Sequence, residues 1–230
     1  NRGIGLEFTK QLIQRSDTLV IATCRDPAKS TTLSALAADA SNKLHVVPLD
    51  VTSTTSAAAA AKTIAALLGP EQGIDYLINN AGINPWPQTE TAYDTDIDLV
   101  QRCFEVNTLG ALRVTQQFVD LVARGAKKTV VNISSTLGSM GTDYVAVTER
   151  NAAYAVSKAG LNMVTRKQAM GRSDLVVVSI CPNYVKTDIG GPNAFITAAD
   201  SVENILKTVA GLTQKDSGTF MGYTGYPIPW

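Results

Sequence analysis

The chain has 230 residues, 45% of them hydrophobic, enough for one large α/β domain or two small ones. Twenty basic and twenty acidic residues cancel, which excludes the strong overall field that draws in nucleic acid or anionic lipid, so any attraction for an anionic ligand must be local. Cys24, Cys103 and Cys181 are far apart without a C-x-x-C pair, so they frame neither a disulfide nor a zinc site and fit the reduced thiols of a cytoplasmic protein. No run of eighteen apolar residues offers a membrane span.

The chain opens with Asn1-Arg2-Gly3-Ile4-Gly5, which leads into Leu6, Phe8, Leu12 and Ile13 at helical spacing. Two glycines at a helix start either punctuate it or let a phosphate approach the backbone N–H groups. Thr18–Thr23 is an apolar strand ending at Cys24-Arg25-Asp26-Pro27, and a helix follows through Ala35–Ala38. The strand Leu44–Pro48 holds the one histidine, His45, whose place in an apolar run marks it as a strand residue rather than a catalyst. It closes at Leu49-Asp50-Val51-Thr52, and the alanine-rich segment Ala57–Leu68 is a good helix.

Ile74–Ile78 is a third strand, followed by Asn79-Asn80-Ala81-Gly82 and a turn at Pro85 and Pro87. A helix covers Ile97–Val106, Asn107 sits at its end or in a kink, and Leu109–Val122 resumes it. Thr129–Ile133 is the most strand-like run and ends at Ser134-Ser135. A polar, glycine-containing segment then leads to a helix carrying Tyr154-Ala155-Val156-Ser157-Lys158. After the strand Leu175–Ile180 come Cys181-Pro182-Asn183-Tyr184-Val185-Lys186-Thr187, a last helix at Val202–Leu212 and a final strand at Ser217–Met221. Nearly continuously apolar strands alternating with helices predict one domain, residues 1–230, built on a parallel sheet covered on both faces.

In such a sheet, ligands sit beyond the carboxyl ends of the strands. Arg25, Asp50, Asn80, Ser135 and Thr187 each end or follow a strand there. Singly, each has an ordinary reading: Asp50-Val51-Thr52 as a helix cap, Asn79-Asn80-Ala81-Gly82 as a turn, Asn107 as a helix irregularity, Ser135 as one loop serine among many. The spacing of four places the Tyr154 phenol and the Lys158 ammonium on one helix face. A phenol titrates near pH ~10, and a cation within about 4–6 Å favours the phenolate and draws it toward the range useful for proton transfer.

Taken together and in order, these residues resemble the short-chain dehydrogenase/reductase family. The carriers of the resemblance are Gly3-Ile4-Gly5 as the tail of a glycine loop, Asp50 before Val51, Asn79-Asn80-Ala81-Gly82, Asn107, Ser135, Tyr154 with Lys158, and Pro182 through Thr187. Val185 through Pro192, Asp216-Ser217-Gly218 and Pro229-Trp230 are most similar to the sniffer and C-factor type of carbonyl reductase, and more loosely to fungal polyketide ketoreductases.

The resemblance implies a Rossmann-type doubly wound parallel sheet in the order 3-2-1-4-5-6-7, with Asn1 already inside the phosphate loop and roughly ten or more further residues expected upstream, to carry a first strand of about five or six. It implies NADP(H) as cofactor and a small-molecule carbonyl as substrate, with Tyr154 giving the proton, Ser135 hydrogen-bonding the carbonyl, Lys158 holding the nicotinamide ribose, and Asn107 holding a water behind Lys158. Arg2, Gly3, Ile4, Gly5, Arg25, Asp50, Val51, Asn80, Ala81, Gly82, Pro182, Val185 and Thr187 would contact the cofactor, with Arg113 nearby; no metal is implied. Cys24 stands where NAD-dependent relatives carry an acid, and Arg25 with Arg2 suits a 2′-phosphate.

There are departures from the pattern. Asn183 replaces the usual glycine, and nineteen positions separate Ser135 from Tyr154, so an extra loop is expected to overhang the site. The stretch between Thr187 and the last helix is too short for a long substrate lid. Trp86, Met140, Tyr144 and Phe195 fall in wall-forming loops without identifying a ligand. A homodimer is permitted through the helices after Asn107 and Tyr154. A regulatory protein that only binds cofactor is the alternative reading, against which the Asn107–Ser135–Tyr154–Lys158 set argues. A serine hydrolase is excluded because no G-x-S-x-G elbow occurs.

Overall fold

The structure, a computed structural model, describes residues 1–40, 43–142 and 148–230. Among the described residues seven helices and six strands follow one another: α1 (Gly3–Leu12), β1 (Val20–Cys24), α2 (Thr31–Asp39), β2 (Leu44–Pro48), α3 (Thr54–Leu68), β3 (Tyr76–Asn79), α4 (Ile97–Phe104), α5 (Gly110–Arg124), β4 (Thr129–Ile133), α6 (Ala152–Gly171), β5 (Val176–Cys181), α7 (Ala198–Ala210) and β6 (Phe220–Gly222). A π turn, Glu105–Leu109, joins α4 to α5 and holds Asn107. None of the described helices is long and apolar enough to cross a membrane.

Every strand pair is parallel, as apolar strands joined by helices require. Side chains alternate across β4: Val131 and Ile133 pack with Phe8 of α1 and with Val202, Ile205 and Val209 of α7. Val130 points the other way, into a cluster with Val122 of α5. A separate cluster closes α3 and α5 over Val47, with Ala57, Ala60, Ile64, Val114 and Phe118. The layers are therefore those of a doubly wound fold. The described strands form two sheets, β2–β1 and β3–β4–β5–β6; the strand that the resemblance places between them is the one expected upstream of Asn1. β1 and β3 do not pair with each other, and residues of both line one cavity.

The carboxyl ends of β3, β4 and β5 are tied by buried polar side chains. Asn79 donates to Thr115 at 2.9 Å and to Asn132 at 2.8 Å. Asn132 donates to Thr165 at 2.9 Å, and the Thr165 hydroxyl meets that of Ser179 at 2.8 Å. All five are buried, as the satisfied partners allow.

Candidate active site

A cavity of about 1460 Å³ opens at the carboxyl ends of the strands and runs down between β1 and β3. Lining it are Arg2 through Gly5, Arg25, Asp50, Val51, Asn80 through Gly82, Ser135, Tyr154, Lys158, Pro182, Val185 and Thr187. Two predicted residues stand outside its wall. Asn107 is fully buried behind it: its Oδ1 accepts the Ile83 N–H at 2.7 Å, and its Nδ2 donates to the Ile83 carbonyl and the Ser157 hydroxyl, both at 2.9 Å. Arg113 is spent on a clamp, donating to Thr54, to the Val51 carbonyl and to Glu105 at 2.8 Å, so it shapes the Val51 loop instead of facing the cavity.

Ser135 follows β4 and caps a short turn, accepting the Leu137 N–H at 3.2 Å. That turn lies directly on α6, because a Cβ at Gly138 would stand 2.5 Å from the Lys158 carbonyl carbon. Lys158, 3% exposed, donates to the Ile133 carbonyl at 2.7 Å, with its Nζ 5.6 Å from the centre of the Tyr154 ring. Burial pushes the Lys158 pKa down to about 8. Burial also raises the Tyr154 phenol, the nearby Cys181 thiol adds to this, and Ser135 beside it offsets only part. The expectation that Lys158 pulls the phenol down is thus outweighed by loss of water around both groups.

At the opposite end, α1 begins with no side chain capping it, so its first N–H groups are open to the cavity. Gly3 has φ +50°, a conformation that favours glycine, and a Cβ at Gly5 would come 2.6 Å from the Asn80 amide nitrogen and displace that side chain. Asp50 accepts the Thr52 N–H and hydroxyl, and these bonds lower its pKa. Arg25 is exposed and makes no ion pair or side-chain hydrogen bond among the described residues. Arg2 pairs instead with Asp188 at 2.8 Å. These residues, an uncapped helix start at two glycines with an exposed guanidinium alongside, fit a phosphorylated dinucleotide.

Asn183 in place of glycine is accounted for: its φ is +70°, a left-handed conformation that asparagine tolerates, and its side chain accepts the Tyr184 N–H at 2.7 Å. From Thr187 the chain reaches α7 through a compact turn, Gly191 N–H to the Thr187 carbonyl at 2.9 Å, with no intervening helix among the described residues. Residues 143–147, including Tyr144 and part of the expected overhanging loop, lie outside the described residues.

With this geometry in hand, comparison with known proteins is decisive. The profile described as short chain dehydrogenase matches residues 1–194. The chain belongs to the short-chain dehydrogenase family. This dehydrogenase is 37% identical to the C-signal protein of Myxococcus xanthus over 161 residues, 68% of this chain and 93% of that one. It is 32% identical to an oxidoreductase of Schizosaccharomyces pombe, covering 100% of this chain and 95% of the relative. Among solved structures it superposes on an NADPH-bound carbonyl reductase from chicken fatty liver with a TM-score of 0.92 and 35% identity, covering 100% of this chain and 95% of that chain. The carbonyl reductase Sniffer of D. melanogaster gives the same TM-score at 25% identity, covering 100% and 96%.

Several residues at the site of this dehydrogenase escape a sequence reading. Ser157 sits inside the Tyr154–Lys158 motif, where its position four residues from Ala153 marks it only as helix. Asn84, Gln88 and Asn151 also line the cavity; their polar type in loops next to recognised motifs was the only available signal.

Proposed function

We propose that this short-chain dehydrogenase reduces the carbonyl of a ketone, aldehyde or quinone to an alcohol, with NADPH as the hydride donor. The observation that carries the reading is the convergence of Ser135, Tyr154 and Lys158 on the same cavity as the uncapped start of α1. The carbonyl reductase of known structure from chicken fatty liver, which binds NADPH, supports the cofactor.

The start of α1, Gly3, Ile4 and Gly5 would hold the pyrophosphate, Arg25 the 2′-phosphate, Asp50 and Val51 the adenine, and Asn80 through Gly82 the adenosine ribose. Pro182, Val185 and Thr187 would hold the nicotinamide end, and Lys158 its ribose. When bound, the nicotinamide supplies the hydride. Negative charge then develops on the carbonyl oxygen, where Ser135 donates a hydrogen bond and Tyr154 gives up its phenolic proton. The raised phenol pKa suits the acid role, since the proton stays on Tyr154 until an alkoxide asks for it. Lys158 stabilises the phenolate left behind, and the remaining lone pair of Asn107 Oδ1 receives a water that returns the proton. A protein that only binds the cofactor has no use for Ser135 beside Tyr154.

NADPH oxidation monitored over a panel of aldehydes, quinones and polycyclic ketones tests the reading, with Tyr154→Phe as the control. The variant should bind NADPH as the wild type does and lose about 10²–10⁴-fold in kcat. Near-wild-type turnover in Tyr154→Phe would remove Tyr154 as proton donor.

A further inference from the structure

One end of the cavity, beside Tyr154, is walled by three carboxamides. Asn84, 9% exposed, follows the Asn79–Gly82 turn, Asn151 starts α6 one turn before Tyr154, and Gln88 follows the proline turn. Asn84 Nδ2 donates to Asn151 Oδ1 at 3.0 Å. Gln88 Nε2 donates to the backbone carbonyls of Asn84 and Ile189, at 2.9 and 3.0 Å, and so holds the two walls together. Asn151 and Gln88 both have left-handed backbones, φ +60° and +61°. For glutamine this conformation is unfavourable, and such residues persist where the surroundings impose them, commonly at ligand sites.

The pair leaves a defined remainder. Among the described residues nothing donates to Asn84 Oδ1, and Asn151 Nδ2 donates to nothing, so an acceptor on one amide and donors on the other remain open in two residues that line the cavity. Turning both amides over reverses the bond between them but still leaves donors on one amide and an acceptor on the other. A hydroxyl satisfies both at once; a ketone or ether oxygen can only accept, and a hydrocarbon does neither. The same cavity is lined by Tyr184 and Phe195, both exposed, their rings edge to face with centroids 6.0 Å apart. That is a wall suited to the face or edge of an aromatic ring.

We propose that the substrate is an aromatic ketone carrying a hydroxyl group, held by that hydroxyl between Asn84 and Asn151 while its carbonyl reaches Tyr154. The inference rests on the reductase reading above and adds the substrate class. Asn151 caps α6 three residues before Tyr154, so the two residues lie within about 11 Å along the chain. The hydroxyl and the carbonyl are therefore placed on one compact molecule.

The test is NADPH oxidation with 1-tetralone, its ring-hydroxylated isomers and their methyl ethers. At least one hydroxy isomer should exceed 1-tetralone by about tenfold or more in kcat/KM, and its methyl ether should lose that advantage, because a site built to bond a hydroxyl rejects analogues without one. In Asn84→Ala, and separately in Asn151→Gly, which keeps the left-handed backbone accessible, the ratio between hydroxy isomer and parent should fall to about twofold or less. All tetralones reduced equally well by the wild type would overturn the inference while leaving the reductase reading intact. A preference unchanged in both variants would overturn it too. NADPH oxidation with no carbonyl of any kind would end both readings together.

Discussion

The Lys158 ammonium donates to the Ile133 carbonyl oxygen 2.7 Å away, tying the middle of α6 to the end of β4. The bond holds a cation in a place that disfavours it, as its pKa of about 8 records. Between that value and the ordinary 10.5 of a lysine, the unfolded chain carries a proton that the folded one has lost. Stability from this group therefore rises with pH across that window, and below about 8 the full cost of burying the charge is present. Tyr154, Cys103 and Cys181, all raised by burial, push the other way at high pH. The comparison that isolates Lys158 is wild type against Lys158→Met: the difference in unfolding free energy should move in favour of wild type by up to about 3 kcal/mol between pH 8 and 10.5. Denaturant melts at several pH values measure it, and a pH-independent difference would refute the buried cation.

Cofactor choice is expected to rest on Arg25. It is exposed at the cavity rim without an ion pair, ready for an added phosphate. A charge-assisted hydrogen bond is worth about 1.5–3 kcal/mol, so Arg25→Ala should weaken NADPH about 10- to 100-fold and leave NADH nearly unchanged. Fluorescence titration of both nucleotides is sufficient. Equal losses for the two would place the 2′-phosphate elsewhere.

Arg2 is a different case because Asp188 already holds it. Both side chains are largely exposed, so the pair adds only about 0–1 kcal/mol to stability. What Asp188 does contribute is a carboxylate beside the phosphate loop. Asp188→Asn should leave the melting temperature within a degree or two, roughly the scale of such a pair, yet lower the Kd for NADPH severalfold. Weaker binding in the variant would show that Asp188 positions Arg2 instead of competing for it.

Ser157 connects two parts of the site that its sequence position does not suggest. Its hydroxyl accepts from Asn107 and donates to the Tyr154 carbonyl at 2.7 Å, while the Ser157 carbonyl accepts the Thr108 hydroxyl at 2.6 Å. Ser157→Ala would leave an Asn107 N–H buried and unpaired, at a cost of about 1–3 kcal/mol, or about 2–10 °C in melting temperature. A calorimetric melt unchanged by the substitution would mean that a water replaces the hydroxyl.

Much of this was legible beforehand, for identifiable reasons. β2 and β4 occupy Leu44–Pro48 and Thr129–Ile133, the runs read as strands, because apolar side chains of both faces are buried there. β3 and β6 start later than their apolar runs suggest, since the register with β4 and β5 begins only at Tyr76 and Phe220. The chemistry of Tyr154 and Lys158 could be located from spacing but not weighed, because their ionisation depends on how much water the fold leaves around them. Contacts such as Arg2 with Asp188, 186 residues apart, leave no mark in local pattern. The amide wall of Asn84, Gln88 and Asn151 was invisible for the same reason.

The buried chain from Thr115 through Asn79, Asn132 and Thr165 to Ser179 bears on how the molecule folds. Parallel strands of valine and isoleucine attract each other in many alignments, and hydrophobic contact alone scarcely distinguishes one from the next. Sliding β4 by one residue would turn Asn132 to the opposite face. Asn79 and Thr165 would then be stranded in a dry interior, where an unmet polar group is expensive. The cluster thus acts as a proofreading device: wrong alignments can collapse, but they cannot satisfy their amides and so dissolve again. Because the same strand ends carry Asn80, Ser135 and Pro182, the check falls where an error of one residue would do the most harm to chemistry.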